Sequence, residues 1–174
     1  MNLRMNLRRL LNKVLGVQYK LFMDLDGTII KTISGETFPK DYNDWEMMPG
    51  IIEALKVFKP SIIHIVTNQG GIGRGYVDQN LWLEKVDKIM KILESEVGCP
   101  VTLDFCIHDT DNFYRKPNPG MILKHMDGVN PSSCLMVGDA SGLEGQFSDS
   151  DKVCALNAGI PYMDVSDFIN WHTN

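Results

Sequence analysis

The segment that constrains the fold most is residues 19–28, where an apolar run typical of a buried strand passes into Asp24-Leu25-Asp26-Gly27-Thr28. Two carboxylates one residue apart, where a strand gives way to a glycine turn, add nothing to packing and are costly to bury. In an α/β sheet, the carboxyl end of a strand opens on the crevice where ligands bind. The segment therefore predicts a reactive site at the end of the first strand.

The rest of the sequence alternates short apolar strands with helical segments. Further strands are predicted at residues 61–67, 101–107 and 134–137, with a short fifth strand near the C-terminus, and helices at 50–58, 77–97, 119–126, 148–157 and the C-terminus. Residues 28–39 predict a hairpin with its turn at 34–36, which could close over the site. The alternation predicts an α/β fold: a three-layer, Rossmann-like parallel sheet with helices on both faces.

Polar residues follow each of these strands. Thr67 and Asn68 come after the second strand, Lys116 lies in the loop after the third, and Asp139 follows the fourth. Because the carboxyl ends of parallel strands meet at one edge of a sheet, we expect these side chains to converge with Asp24 and Asp26.

This set of residues fits phosphoryl transfer. An ionised Asp24 can attack phosphorus and form an acyl phosphate, and Asp26, held protonated by its neighbours, can donate to the leaving group and then activate water. Thr67, Lys116 and backbone N–H groups from Asn68 onward can hold the phosphate oxygens. Asp139 with Asp24 provides the hard oxygen ligands that Mg²⁺ prefers.

Seven strings carry a resemblance to a known family: DLDGTIIKTISGETFP, DW, VTNQGGIGRG, YRKPNPGM, VGDASG, FSDSD and ALNAGIP. Their order resembles the haloacid dehalogenase superfamily and, within it, the polynucleotide 3'-phosphatase family, the phosphatase half of polynucleotide kinase/phosphatases. The resemblance implies a haloacid dehalogenase-type sheet with a minimal cap in residues 19–174, and a phosphatase that removes 3'-phosphate from DNA ends in DNA repair, with RNA ends as the alternative substrate.

The resemblance also implies a role for each site residue. Asp24 is the expected nucleophile, Asp26 the acid/base, and Thr67 and Lys116 bind phosphate. Asp139, Asp24 and the backbone carbonyl of Asp26 would hold Mg²⁺. The candidate substrate-binding residues are Ser34, Asn68, Gln69, Gly70, Arg74 and Arg115.

Several alternatives remain open on sequence grounds. Cys106 and His108 invite comparison with zinc-loop phosphatases for histidinol phosphate or heptose bisphosphate, but Phe113-Tyr114 stands where a second cysteine pair would be needed. A non-catalytic module that binds nucleic-acid ends is the alternative from another class. Asp149 and Asp151 could join the metal site or cap a helix. Trp45, Trp82 and Tyr114 could stack a terminal base or pack internally.

Composition limits the partners. Five of the 17 Lys and Arg residues lie within residues 1–20, which contain no acid, whereas the chain has 22 acidic residues in all. Residues 1–18 therefore predict a basic amphipathic helix or arm, with organellar targeting as one role, and the acidic remainder argues against a groove that tracks many phosphates.

The sequence also excludes some functions. No apolar run reaches the roughly 20 residues of a membrane span. There is no G-x-x-x-x-G-K-[ST] loop, so neither kinase activity nor ATP use is expected. Four scattered cysteines favour an intracellular, cytoplasmic or nuclear protein, and we expect a monomer.

Overall fold

The computed structural model describes residues 16, 18–110 and 112–171, so the basic helix or arm predicted for residues 1–18 falls almost wholly outside the described residues. The strands are β1 (Lys20–Met23), β2 (Ile30–Lys31), β3 (Glu46–Met47), β4 (Ile62–Asn68), β5 (Val101–Cys106), β6 (Cys134–Gly138) and β7 (Tyr162–Asp164). The helices are α1 (Ile51–Phe58), α2 (Gly70–Gly73), α3 (Gln79–Val97), α4 (Gly120–Leu123), α5 (Ser150–Ala158) and α6 (Val165–Asn170).

Five strands form one parallel sheet in the order β5-β4-β1-β6-β7. β1 lies at its centre, with Leu21 paired to Ile63 of β4 on one side and to Leu135 of β6 on the other. Since every pair is parallel, the carboxyl ends of all five strands lie at the same edge. The α/β prediction is confirmed.

Helices cover both faces of the sheet because alternate strand residues point in opposite directions. Leu21 and Met23 pack with apolar residues of α1, α3 and α6, whereas Phe22 packs with residues of α4 and α5. The longest helix, α3, begins at Asp78, whose carboxylate accepts hydrogen bonds from two backbone N–H groups of its first turn. Among the described helices, none combines the length and apolar character needed to cross a membrane.

The segment between β2 and β3 differs from the predicted tight hairpin. Ile30 pairs with Met47 and Lys31 with Glu46, so the returning strand lies well beyond residues 37–38. The reason is Asp44, which is buried and accepts hydrogen bonds from Lys40 N (2.9 Å), Ser34 Oγ (2.7 Å) and Ser34 N (2.8 Å). These bonds lower the pKa of Asp44 to about 2.

A second difference is the short helix α2, which was not expected in the glycine cluster 70–75. Glycine is a poor helix former, but one helical turn closes through bonds such as Arg74 N to Gly70 O (3.1 Å). A Cβ at Gly73 would overlap the carbonyl oxygen of Ile107. Glycine is therefore needed here because the turn packs directly on the backbone that follows β5.

A buried histidine lies within the sheet, away from the carboxyl edge. The His64 ring stacks on Phe22 (ring centroids 4.9 Å apart) and on His125 (4.0 Å), and its Nδ1 lies 2.7 Å from Thr102 Oγ1. Burial lowers the pKa of His64 to about 4, and the neighbouring His125 adds to the effect. The imidazole is therefore neutral at pH 7, and the fold loses stability when it must be protonated.

Candidate active site

Lys116 and Asp24 form the centre of the site. Asp24 follows β1 directly, and the Lys116 ammonium lies 2.5 Å from Asp24 Oδ1. The same ammonium lies 2.7 Å from Asp151 Oδ1, so one lysine joins two carboxylates from β1 and α5. All three side chains are buried. Buried charges of this kind need partners, and breaking such a pair by removing one member is strongly destabilising.

Three carboxylates surround this one ammonium. Asp24, Asp139 and Asp151 each offer an oxygen within 4.8 Å of the others. Burial raises the pKa of Asp24 to about 8: the attraction of Lys116 opposes the rise, and the charge of Asp151 adds to it. Burial likewise raises the pKa of Asp139 to about 6. For Lys116, burial would lower the pKa, but its two ion pairs outweigh burial and raise it. The cluster therefore holds more negative charge than Lys116 can balance.

Two glycines without a Cβ leave space for these carboxylates. Gly27 has φ +79°, and a Cβ there would overlap the carboxylate of Asp139. A Cβ at Gly138 would overlap the carboxylate of Asp151. Within the described residues this is the one group of three or more potential metal ligands. Buried, crowded, oxygen-only ligands fit Mg²⁺, which Asp24, Asp139 and Asp151 would hold.

Thr67, Gln69 and Asp26 form a second part of the site. The side-chain amide of Gln69 donates to Asp26 Oδ2 (3.0 Å) and to Thr67 Oγ1 (3.1 Å). Thr67 is buried at the end of β4, whereas Asp26 is exposed at the edge of the sheet. The Gln69 side chain therefore fixes the exposed carboxylate of Asp26 relative to β4.

The side chain of Asn68 holds the loop that carries Lys116. Its side-chain amide donates to the carbonyl of Lys116 (2.9 Å) and accepts from the Lys116 N–H (3.0 Å). This reciprocal clamp joins the end of β4 to the loop after β5. The side chain of Asn68 thus positions the backbone that carries the buried ammonium. Substrate contact through its backbone N–H stays a prediction.

The other predicted substrate-binding residues lie farther out. Arg74 Nε pairs with Asp109 Oδ2 (2.6 Å), and Arg115 Nη1 donates to the carbonyl of His108 (2.9 Å). Gly70 begins α2, close to Asp109 and Arg115. The structure does not bring Ser34 into the carboxylate cluster: its hydroxyl and N–H both bind Asp44.

Asp151 is the functional residue whose role the sequence left open. It lies in the first turn of α5 and reaches Lys116, while its Oδ2 accepts from Ala140 N (3.1 Å). Asp149 is the N-cap residue of α5, but its side chain makes no capping hydrogen bond. A glycine directly before Asp139, together with an acid in the first turn of the next helix, is the signal that could have identified Asp151.

A hydrogen-bond network holds the loop that carries Asp139. Tyr162 donates to the carbonyl of Gly138 (2.9 Å), and its hydroxyl lies 2.5 Å from Ser141 Oγ. Ser141 also bonds Asp164, which accepts from Gln146 Nε2 (2.8 Å). The loop after β6 is therefore anchored to β7 on both sides of Asp139.

Comparisons with known proteins agree with this geometry. A family model described as polynucleotide kinase 3 phosphatase matches residues 20–168. A bifunctional polynucleotide phosphatase/kinase from Schizosaccharomyces pombe is 33% identical over 157 residues, which are 86% of this chain but 37% of that protein. This chain therefore spans little more than a third of that relative.

Heptose phosphatases are similar as well. A D-glycero-beta-D-manno-heptose-1,7-bisphosphate 7-phosphatase from Pseudomonas aeruginosa is 33% identical over 129 residues, or 70% of this chain and 71% of that protein. Among solved structures, the D,D-heptose 1,7-bisphosphate phosphatase of B. bronchiseptica, complexed with magnesium and phosphate, matches with a TM-score of 0.67 and 24% identity. That match covers 83% of this chain and 79% of the other, and it shows a shared fold.

Proposed function

The chain belongs to the polynucleotide kinase 3 phosphatase family and is a phosphatase of the haloacid dehalogenase type, and we propose that it removes 3'-phosphates from polynucleotide ends with Mg²⁺. The observation that carries the proposal is the family match, which extends from β1 into α6 and includes every residue of the carboxylate cluster. The expected product is a 3'-hydroxyl, the group that polymerases and ligases require. We therefore propose a role in DNA repair, inside the cell.

The first chemical step transfers the phosphoryl group to Asp24. A carboxylate oxygen of Asp24 bonds to phosphorus while the bond from phosphorus to the 3'-oxygen breaks, and Asp26 gives its proton to that oxygen. The ion pair with Lys116 supports this role because it fixes the orientation of Asp24. Lys116 and Thr67 would also compensate charge on the phosphate oxygens.

The second step releases phosphate. Asp26 takes a proton from water as the water oxygen bonds to phosphorus, and the bond from phosphorus to Asp24 breaks. The contact from Gln69 supports this dual role for Asp26, since it holds the exposed carboxylate at the edge of the site. Bound Mg²⁺ would supply further charge compensation for the phosphate oxygens.

A heptose bisphosphate phosphatase is the second candidate, because the Pseudomonas aeruginosa enzyme is as similar in identity as the polynucleotide relative. The two candidates share the proposed chemistry of Asp24 and Asp26. They differ in what the rest of the substrate must contact. Substrate preference is therefore the measurement that separates them.

The test is release of phosphate from four substrates: a 3'-phosphorylated DNA oligonucleotide, the RNA of the same sequence, heptose 1,7-bisphosphate and histidinol phosphate. Each is assayed with Mg²⁺ and with EDTA, and kcat/KM is compared. We expect the highest value for a polynucleotide and loss of turnover in EDTA. A higher kcat/KM for either small molecule would contradict the proposal, and the DNA to RNA ratio identifies the polynucleotide. Asp24→Asn is the control for contaminating phosphatases.

A further inference from the structure

The exposed aromatic side chains are concentrated at one edge of the sheet. The chain has seven Phe, five Tyr and three Trp. Five of them are exposed, and we call these the aromatic rim: Phe38, Tyr76, Phe113, Tyr114 and Phe147. All five lie on segments that follow the carboxyl ends of β1, β4, β5 and β6. The exposed fraction is 99% for Phe147, 80% for Tyr76 and 78% for Phe38.

The other aromatics, including two that the sequence offered as stacking candidates, are at least partly buried. Trp82 is buried in the core and packs against Phe105 (ring centroids 4.9 Å apart), and Trp45 is half-buried against the same core. Tyr114 is the one of the three whose side chain is exposed. Single exposed apolar residues need no explanation, but their segregation around one crevice indicates a binding surface.

The rim segments are joined to one another and to the site. Tyr114 lies two residues before Lys116, on the loop that Asn68 clamps to β4. The Arg74–Asp109 pair ties the segment that carries Tyr76 to the loop after β5. The Tyr42 hydroxyl accepts from Asp78 N (2.9 Å), which joins the segment between β2 and β3 to the start of α3.

Part of the rim is fixed in place before any substrate binds. The rings of Phe113 and Tyr114 meet edge to face with centroids 5.4 Å apart. The carbonyl of Phe113 accepts from Gly120 N (3.0 Å), and a Cβ at Gly120 would overlap Phe113. Fixing an aromatic pair in this way lowers the entropy lost when a ligand stacks on it.

In the described part of the chain, few basic side chains near the site are available to bind the backbone phosphates of a polynucleotide. Beyond residue 20 the chain is strongly acidic, and the two arginines near the site are engaged, Arg74 with Asp109 and Arg115 with the His108 carbonyl. Whatever is attached to the phosphate at Asp24 must pass the rim. Aromatic rings stack on any nucleobase, whereas a heptose has no π face to offer.

We propose that the aromatic rim stacks the unpaired bases next to the 3'-phosphate, and that this stacking, rather than contacts to backbone phosphates, holds the polynucleotide end. The inference rests on the proposed function and adds the part of the substrate that is recognised. Tyr114, being nearest to Lys116 in the chain, contacts the terminal base, and Tyr76 contacts a base farther from the end.

The test is a double-perturbation cycle, in which the Tyr114 ring and the terminal base of the substrate are removed separately and together. The substrates are a single-stranded 3'-phosphorylated oligonucleotide and the same oligonucleotide with an abasic terminal nucleotide. Tyr114→Ala is expected to raise KM for the intact oligonucleotide about 5-fold or more, from the size of base stacking. It should raise KM much less for the abasic one, because the two changes remove the same contact. Tyr114→Phe keeps the ring and should keep KM low.

Two further measurements complete the design. Leu156→Ala removes an exposed side chain of α5 outside the rim and should leave both KM values unchanged. The logarithm of oligonucleotide affinity should fall with the logarithm of salt concentration with a slope no steeper than about −1.4, the value for two phosphate contacts on a single strand. A steeper slope would mean that the backbone phosphates hold the substrate, and would overturn the inference.

Substrate preference and the KM values of the variants distinguish failure of the inference from failure of the proposed function. If the wild-type protein hydrolyses the oligonucleotide but Tyr114→Ala and Tyr76→Ala keep its KM, the rim serves another partner and the inference alone is wrong. If the wild-type protein prefers heptose bisphosphate, the proposed function and the inference are both wrong. Equal KM increases for intact and abasic substrates would assign Tyr114 to folding of the loop, and would also overturn base stacking.

Discussion

Lys116→Met tests whether one buried ammonium keeps the carboxylate cluster folded. Methionine preserves much of the apolar stem of lysine and removes the charge. In the native site the ammonium lies 2.5 Å from Asp24 and 2.7 Å from Asp151, and Asp139 adds a third carboxylate with an oxygen within 4.8 Å of oxygens of the other two. After the substitution these three groups share one buried space without a cation.

The magnitude follows from the burial of both ion pairs. Removing one partner of a buried pair costs about 3 to 5 kcal/mol, because the remaining charge is left uncompensated. For a chain of this length, each kcal/mol shifts the melting temperature by about 2 to 4 °C, so the expected loss is about 6 to 20 °C in EDTA.

The loss should depend on pH. Asp24 and Asp139 already have folded pKa values of about 8 and about 6, against 3.8 for an ordinary aspartate. A carboxyl whose folded pKa is raised favours folding below pH 4, and this contribution is lost as pH rises through the folded pKa. Removing Lys116 raises these values further. The deficit of Lys116→Met should therefore be small near pH 4 and largest near pH 8.

The assay is thermal unfolding in EDTA and in excess Mg²⁺ across this pH range. Mg²⁺ that binds the folded cluster should recover part of the loss, since a ligand of the native state stabilises it. Lys152→Met, on the exposed side of α5, is the matched control and should change stability little. If Lys116→Met loses no more than Lys152→Met at pH 8 in EDTA, Lys116 does not compensate the cluster.

Three further predictions concern single residues. Asp24→Asn should abolish phosphate release with little change in melting temperature in EDTA, because it removes the proposed nucleophile and one crowded charge while Lys116 keeps its ion pair with Asp151; substantial turnover would assign the nucleophile to another group. Gly27→Ala should weaken Mg²⁺ binding by calorimetry, since its Cβ would overlap Asp139, whereas Gly145→Ala shares the positive φ but meets open space and should bind Mg²⁺ normally. As pH drops from about 6.5 to about 4, the free energy of unfolding in urea should fall in the wild-type protein relative to His64→Phe, because His64 binds a proton in the unfolded chain before it does in the fold, whereas the raised pKa values of Asp24 and Asp139 act on both proteins alike; the same pH dependence in the two proteins would show that His64 does not cause it.

The sequence predicted the sheet because its strands are recognisable as apolar runs. It predicted most of the candidate site because the polar residues follow the carboxyl ends of those strands. Once β1, β4 and β6 are recognised, parallel pairing alone brings Asp24, Thr67 and Asp139 to one edge, whereas Lys116, ten residues beyond β5, is held there by the Asn68 clamp. No knowledge of side-chain packing is needed for that step. The roles of these residues in catalysis stay predictions that the experiments above address.

Asp151 and Asn68 could not be placed in this way. The contact of Asp151 with Lys116 depends on how closely α5 packs on the end of β6, where Gly138 lacks a Cβ. The sequence predicted phosphate contact through the Asn68 backbone N–H, but it did not indicate that the Asn68 side chain clamps the Lys116 backbone. Both contacts join residues distant in sequence, and no local pattern specifies them. The prediction of a tight hairpin with its turn at 34–36 was wrong for a similar reason. Hydrogen bonds to Asp44 determine the path of that segment, and no local pattern specifies them.

The pairing of β2 with β3 closes the segment between them at its base, where Met48 N also bonds Ile29 O (2.8 Å). Asp44 organises the segment from within, and the hydrogen bond from Asp78 N to Tyr42 joins it to the start of α3. Doubling the length of such a loop costs only about 0.6 kcal/mol in closure entropy. Relatives could therefore exchange this segment for longer ones, and so admit substrates of another size, while the nucleophile and the sheet beneath it stay the same.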